Sequence, residues 1–156
     1  MLRLNVESTL RLSHAAARAM KARGAGGIIT VSSTAAYWSA GTYAASKSWV
    51  LDMTRGLRSQ MQGSQVRVMA LTPGFTRTEF HQRSSTDSSA VKPWLWLDSD
   101  EVARVALDDF AAGRGESIPG RQYRALLATV PHLPPGARAS LLRRIAPLSS
   151  KDQRGS

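Results

Sequence analysis

The sequence predicts an α/β fold built on a parallel sheet. Helical and strand patterns alternate, and both strand patterns are short and rich in apolar and β-branched residues, as in strands buried on both faces. The first helix is predicted from about Asn5 to Arg23 and the first strand over 28–33. The second helix is predicted from about Tyr43 to Gln60, and the second strand from Val66 to Leu71. A helix between two strands is the connection that parallel pairing requires.

The rest of the chain is predicted to add a loop, a third helix and an edge strand. Residues 83–92 are rich in serine and have no hydrophobic period, which indicates a loop. Asp98 is the predicted N-cap of a helix that ends at Gly113. Residues 116–120 are consistent with a short edge strand, where proline is tolerated. The later prolines predict short helical pieces joined by turns.

Composition excludes several classes of function. The 156 residues, 42% of them hydrophobic, are enough for one globular domain. The chain has no cysteine, so it offers neither a disulfide framework nor a thiolate metal site, and we expect no metal. No stretch approaches the roughly 18 apolar residues that a membrane span needs. We therefore expect a cytoplasmic protein without a membrane partner.

The net charge of +10 is concentrated at one end of the chain. Residues 121–156 contain seven arginines and lysines against one acidic residue, and no aromatic residue that could stack on a base follows Tyr123. This distribution favours a solvated basic tail over a nucleic-acid-binding surface, so a nucleic-acid partner is not expected.

Tyr43 and Lys47 form a pair that could carry chemistry. Their spacing of four residues places both side chains on one face of the second helix. A neighbouring ammonium lowers the pKa of a phenol, which would make Tyr43 a better acid-base group. Ser33 follows a buried strand, where ligands bind in open parallel sheets, and could hydrogen-bond a substrate oxygen. Such a set suits proton transfer to a carbonyl or from an alcohol, although spacing alone also fits an ordinary solvated Tyr–Lys pair.

Three stretches in a fixed order decide between these readings. Gly27–Ala36, Gly41–Val50 and Val66–Phe80 together resemble the C-terminal catalytic half of the short-chain dehydrogenase/reductase family. The resemblance covers about residues 2–125 and implies a partial Rossmann-like, doubly wound parallel sheet that lacks its N-terminal strands and its glycine-rich turn. Residues 126–156 would form a basic, proline-punctuated tail.

The resemblance also implies roles for individual residues. Tyr43 matches the family's general acid-base tyrosine, and Lys47 the lysine that also holds the nicotinamide ribose. Ser33 matches the serine that polarises the substrate oxygen. The interval from Ser33 to Tyr43 is shorter than is usual in the family, which leaves Ser32 as an alternative. Asn5 matches the asparagine that holds a proton-relay water, although a plain helix N-terminal asparagine is equally compatible.

The cofactor part of the resemblance is incomplete. Pro73 and Gly74 match the family's Pro-Gly after the corresponding strand, and Thr78 matches a threonine that contacts the cofactor. Nothing upstream of Asn5 supplies the glycine-rich turn that approaches the pyrophosphate. The cofactor is therefore NAD or NADP by resemblance, without a choice between them.

Two functions follow as hypotheses. The first is an NAD(P)-dependent oxidoreductase that interconverts an alcohol and a carbonyl, with a serine-rich loop carrying His81, Trp94 and Trp96 over a moderately hydrophobic small-molecule substrate. The second is a truncated, catalytically silent fragment that acts as an interaction module. In either case the helices near 5–23 and 43–60 are predicted to mediate homo-oligomer formation.

Overall fold

The structure is a computed structural model of the chain. It describes residues 1–37, 41–78, 91–134, 136, 137 and 140. In chain order the elements are a π-helical turn (Arg3–Ser8), α1 (Thr9–Ala22), β1 (Gly26–Val31), a 3₁₀ turn (Thr34–Tyr37), α2 (Gly41–Gln60), β2 (Val66–Leu71), a 3₁₀ turn (Pro93–Leu95), α3 (Ser99–Ala111), β3 (Glu116–Ser117), α4 (Arg121–Thr129) and a 3₁₀ turn (Val130–His132).

The three strands form one parallel sheet in the order β1-β2-β3. β1 pairs with β2 along its whole length, from Gly26 opposite Val66 to Val31 opposite Leu71. β3 adds two residues, with Glu116 opposite Ala70. The prediction of an α/β fold with a parallel sheet is confirmed. Because the strands are parallel, their carboxyl ends share one edge of the sheet, and the segments that follow β1 and β2 meet there.

Helices cover both faces of the sheet, as in a doubly wound fold. On one face Ile28 packs in a buried cluster with Ala17 of α1 and Leu57 of α2. Gly27 points to the opposite face, because side chains alternate along a strand. A Cβ at Gly27 would lie 2.5 Å from Cζ of Phe110 on α3, so α3 packs directly on the strand backbone there.

A second cluster joins the segment after β2 to α3 and α4. Its buried members are Val91, Leu95, Leu97, Val102 and Tyr123. The Tyr123 hydroxyl donates to the carbonyl of Leu95 at 2.6 Å and accepts from the backbone N–H of Phe75 at 2.9 Å. One buried phenol therefore holds α4 against both ends of the segment between β2 and α3.

The structure differs from the predicted elements in three places. The first turn of the first helix is π-helical, and α1 itself begins at Thr9. β1 covers 26–31 instead of 28–33, so Ser33 lies two residues beyond the strand. β3 covers Glu116–Ser117 instead of 116–120. In the part of the chain described, no helix is both long and apolar enough to cross a membrane.

The predicted N-cap of α3 gives a direct test of the fold. Asp98 Oδ1 accepts from the backbone N–H groups of Asp100 and Glu101 at 2.9 and 3.2 Å. We expect Asp98→Ala to lower the free energy of unfolding by about 1 kcal/mol in urea denaturation, because both donors lose their partner. Asp98→Asn is the control and should stay close to the parent, since asparagine caps equally well. Equal losses in both variants would contradict a capping role.

Candidate active site

The turn that follows β1 brings Ser33 to Tyr43. The Thr34 N–H donates to the carbonyl of Pro73 at 2.9 Å, which holds the start of the turn against the end of β2. The Ser33 hydroxyl accepts from the Ala35 N–H at 3.1 Å, and it lies near enough to the Tyr43 phenol to lower its pKa. Two residues that the sequence separates by a turn and a helix start are therefore neighbours.

The two candidate serines, Ser32 and Ser33, have different surroundings in the structure. The Ser32 side chain is only 2% exposed, and its Oγ donates to the backbone carbonyl of Lys47 at 2.8 Å. Ser33, the next residue, faces the Tyr43 phenol instead. Ser32 joins the sheet to α2, whereas the Ser33 hydroxyl lies beside the Tyr43 phenol.

Tyr43 and Lys47 lie on one face of α2, as their spacing predicts. Gly41, with φ of +76°, starts the helix in a conformation that favours glycine. The Tyr43 side chain is at the surface, since the residue remains 40% exposed. The Lys47 Nζ lies 5.8 Å from the centroid of the Tyr43 ring and donates to the carbonyl of Val31 at 3.0 Å. The lysine thus connects α2, one turn after Tyr43, to the end of β1.

The electrostatics of this pair differ from the sequence-based expectation. Burial raises the pKa of Tyr43, and the hydrogen bond from Ser33 opposes that shift. Burial lowers the pKa of Lys47. The sequence predicts that the ammonium lowers the pKa of the phenol, but the ammonium donates to the Val31 carbonyl, and the side chain that lowers the pKa of the phenol is Ser33. In the chain alone, burial outweighs stabilisation of the phenolate.

Asn5 reaches the same helix through a serine that the sequence did not single out. Its Nδ2 donates to the Ser46 hydroxyl at 3.3 Å, and Ser46 Oγ donates to the backbone carbonyl of Tyr43 at 2.7 Å. Asn5 stands in the π-helical turn, a local distortion that often occurs at functional sites. The sequence feature that could have identified Ser46 is its position about one turn after Tyr43 on the same helix. The water-relay role of Asn5 stays a prediction.

Pro73 and Gly74 lie beside the Ser33 turn, and each has a structural contact. Pro73 accepts from Thr34, as described above. Gly74 packs against the ring of Tyr123 so closely that a Cβ would overlap the ring atoms. Thr78 is exposed at the end of the described segment 41–78. A cofactor contact by these three residues stays a prediction.

The loop residues proposed to cover a substrate are only partly described. His81 lies outside the described residues. Trp94 is exposed, and its backbone carbonyl accepts from Gln122 Nε2 at 3.3 Å. Trp96 packs against Phe75, with ring centroids 5.8 Å apart. Trp96 therefore has a packing role in the structure, and a covering loop stays a prediction.

Comparison with known proteins assigns the family. The family model described as short chain dehydrogenase matches residues 1–89, more than half of the chain. The chain is a member of the short-chain dehydrogenase/reductase family. Among curated relatives it is 42% identical over 83 residues to dehydrogenase/reductase SDR family member 4 of Bos taurus, a match of 51% of this chain and 30% of that protein. It is 35% identical over 119 residues to a galactitol 2-dehydrogenase (L-tagatose-forming) of Cereibacter sphaeroides, covering 69% of this chain and 47% of the relative.

Solved structures of the family have the same fold. A short-chain dehydrogenase from Burkholderia cenocepacia in complex with NADP superposes with a TM-score of 0.71 at 26% identity, over 93% of this chain and 59% of that one. One from Sphingobium yanoikuyae in complex with NADPH superposes with a TM-score of 0.71 at 28% identity, over 97% and 58%. The chain thus spans less than half of those two curated relatives and less than three fifths of these structures.

The contact between Ser33 and Tyr43 predicts a pKa change. We expect Ser33→Ala to raise the pKa of Tyr43 further, because the hydrogen bond from Ser33 is the interaction that lowers it. Alkaline titration of ¹³Cζ-labelled tyrosine by NMR would measure this, since the chain has only three tyrosines. Ser32→Ala is the control: it should cost about 1 kcal/mol of stability through the lost bond to Lys47 and leave the Tyr43 titration unchanged. The reverse pattern would make Ser32 the partner of the phenol.

The close packing of Gly74 predicts a cost for any side chain there. Gly74→Ala should lower the free energy of unfolding by about 1–3 kcal/mol, because its methyl group must displace Tyr123. Gly56→Ala on α2 is the matched control. A Cβ at Gly56 meets open space, so that change should stabilise the helix by roughly 0.5–1 kcal/mol. Denaturation of both variants in urea measures the difference, and a stabilised Gly74→Ala would refute the contact.

Proposed function

We propose that this chain carries the proton-transfer machinery of an NAD(P)-dependent oxidoreductase that interconverts an alcohol and a carbonyl. The observation that carries the proposal is the grouping of Ser33 and Lys47 around Tyr43: the Ser33 side chain lowers the pKa of the phenol against the effect of burial, and Lys47 Nζ lies 5.8 Å from the ring centroid. Two hydroxyls on a half-exposed surface can both contact one substrate oxygen. Ser33 would polarise that oxygen by donating a hydrogen bond, and Tyr43 would donate or accept the proton.

The direction of the pKa shift of Tyr43 indicates how this residue would act in each direction of the reaction. A phenol whose pKa is raised by burial is protonated at neutral pH, so Tyr43 stands ready to donate a proton to a carbonyl oxygen. Alcohol oxidation needs the phenolate instead. Reduction should therefore be lost as pH rises through the pKa of Tyr43, and oxidation should increase over the same interval. A Lys47 ammonium within reach of the tyrosine would help to stabilise the phenolate as the proton leaves.

The residues of the chain fit the nicotinamide end of a cofactor. Lys47 uses one N–H on the Val31 carbonyl and can donate two more, which suits a ribose hydroxyl. Pro73, Gly74 and Thr78 are the further residues proposed to hold the nicotinamide side. The cofactor would supply the hydride that adds to the carbonyl carbon. The NADP and NADPH complexes of the Burkholderia and Sphingobium structures support a nucleotide of this class.

An activity assay on the full chain tests the proposal. NADH and NADPH are titrated against the chain, with tryptophan fluorescence as the binding signal, and nicotinamide absorbance follows turnover of a panel of aldehydes and ketones. Tyr43→Phe should lower kcat by about 100-fold or more, because it removes the transferable proton and leaves the ring.

Tyr123→Phe removes the same atom from a site distant in sequence and is the matched control. It should cost about 1–3 kcal/mol of stability through the lost bonds to Leu95 and Phe75, and retain turnover below its melting temperature. Equal losses of turnover in both variants, or neither binding nor turnover with millimolar cofactor, would count against the proposal for this chain.

A further inference from the structure

One carboxylate outside the family motifs joins three segments of the candidate site. Glu116, the first residue of β3, accepts at Oε1 from the Tyr37 hydroxyl at 2.7 Å and from Thr72 Oγ1 at 2.8 Å. Its Oε2 accepts from Arg55 Nη2 at 3.2 Å, and the same nitrogen donates to the Tyr37 hydroxyl at 3.2 Å. The Glu116 side chain is 20% exposed, so these bonds are largely shielded from water.

Each donor to Glu116 lies next to a residue of the candidate site. Tyr37 ends the 3₁₀ turn that begins directly after Ser33. Thr72 directly precedes Pro73. Arg55 stands two helical turns after Lys47 on α2, which also carries Tyr43. The carboxylate therefore contacts the turn after Ser33, the end of β2 and the tyrosine helix at once.

We propose that Glu116 is a positioning residue: through Tyr37 it fixes the turn that holds Ser33 against Tyr43. The inference rests on the proposed function of Ser33 and Tyr43, and it adds a residue from β3 that touches neither hydroxyl. Two further bonds hold the turn upstream of Tyr37, from the Thr34 N–H to the Pro73 carbonyl and from the Ser48 hydroxyl to the Ala36 carbonyl. At Tyr37 itself, Arg55 also donates to the hydroxyl, and the bond to Glu116 is the shorter of these two, at 2.7 Å against 3.2 Å.

Charge makes this carboxylate difficult to replace. Hydrogen bonds to an ionised acceptor are stronger than bonds between neutral groups, and Glu116 accepts three of them. Burial and the hydrogen bond to Glu116 raise the pKa of Tyr37 to about 12, so its hydroxyl stays protonated and keeps donating. Glutamine offers a single acceptor oxygen, and its NH₂ group would face the Arg55 guanidinium or another donor.

The chain offers a matched control for Glu116. Asp109 is a carboxylate on α3 with a side chain 15% exposed, and it also bonds β3, accepting from Ser117 Oγ at 2.6 Å. It pairs with Arg114 at 3.2 Å but contacts neither the Ser33 turn nor α2 through any bond of the described residues. Asp109→Asn therefore changes a carboxylate that is about as buried as Glu116 and that bonds Ser117, the neighbouring residue of β3.

The test compares Glu116→Gln, Tyr37→Phe and Asp109→Asn in the full chain by NMR. We expect the first two to shift the ring resonances of Tyr43 and to accelerate hydrogen exchange of the Thr34 and Ala36 amides about tenfold, because the turn loses the bond from the Tyr37 hydroxyl to the Glu116 carboxylate. Asp109→Asn should leave both signals unchanged at an equal loss of stability in urea. Tyr43 has no bond to Glu116, so a purely local destabilisation would not move its ring signals.

The outcomes separate the inference from the proposed function. Unchanged Tyr43 resonances and amide exchange in folded Glu116→Gln would overturn the positioning role, as would equal changes in Asp109→Asn. Absence of turnover in the parent chain would overturn the proposed function alone, since the NMR readout needs no substrate. With turnover present, Glu116→Gln should lower kcat more than it changes KM, because substrate contacts remain while Ser33 is displaced.

Discussion

The candidate site depends on the parallel pairing of β1 with β2. This pairing aligns Val31 with Leu71, so the chain leaves both strands at the same edge of the sheet. The Thr34 N–H then donates to the Pro73 carbonyl, and the residue just before Thr34, Ser33, lies beside Tyr43 of α2. A shift of the register by one residue would turn each side chain of β1 to the other face, exchanging Ile28 of the core with Gly27 under α3. The register of β1 against β2 therefore also fixes the positions of the residues in the candidate site.

Burial and charge compete at Tyr43, and in this chain burial prevails. The phenol is partly covered, and the pKa-lowering effect of Ser33 compensates only in part for its lost hydration. The Lys47 ammonium, also partly desolvated, donates to a backbone carbonyl. A group held protonated in this way suits proton donation. Tyr43 and Lys47 both retain exposed atoms. Further polar groups placed beside those atoms would stabilise the phenolate and the ammonium and so reduce the effect of burial on both pKa values.

Several residues to which the sequence assigns candidate functional roles also make structural contacts. Ser32 fastens the sheet to α2 through the Lys47 carbonyl. Gly74 is required by the ring of Tyr123. Trp96 packs on Phe75. These contacts explain why a motif can mark a fold with certainty while leaving the role of each of its members to be tested.

The sequence by itself determined the alternation of helices and strands, the paired face of Tyr43 and Lys47, and the N-cap at Asp98, because these features arise from local periodicity and capping chemistry. It also identified the family through motifs in a fixed order. Tertiary structure alone showed that Ser32 bonds the Lys47 carbonyl while Ser33 lies beside the Tyr43 phenol, reversed the expected pKa direction of Tyr43, and revealed Glu116. The partners of Glu116 lie 44 to 79 residues away along the chain, and no local pattern encodes such contacts. They exist because β3 pairs with the end of β2, which brings Glu116 beside Thr72, Tyr37 and Arg55.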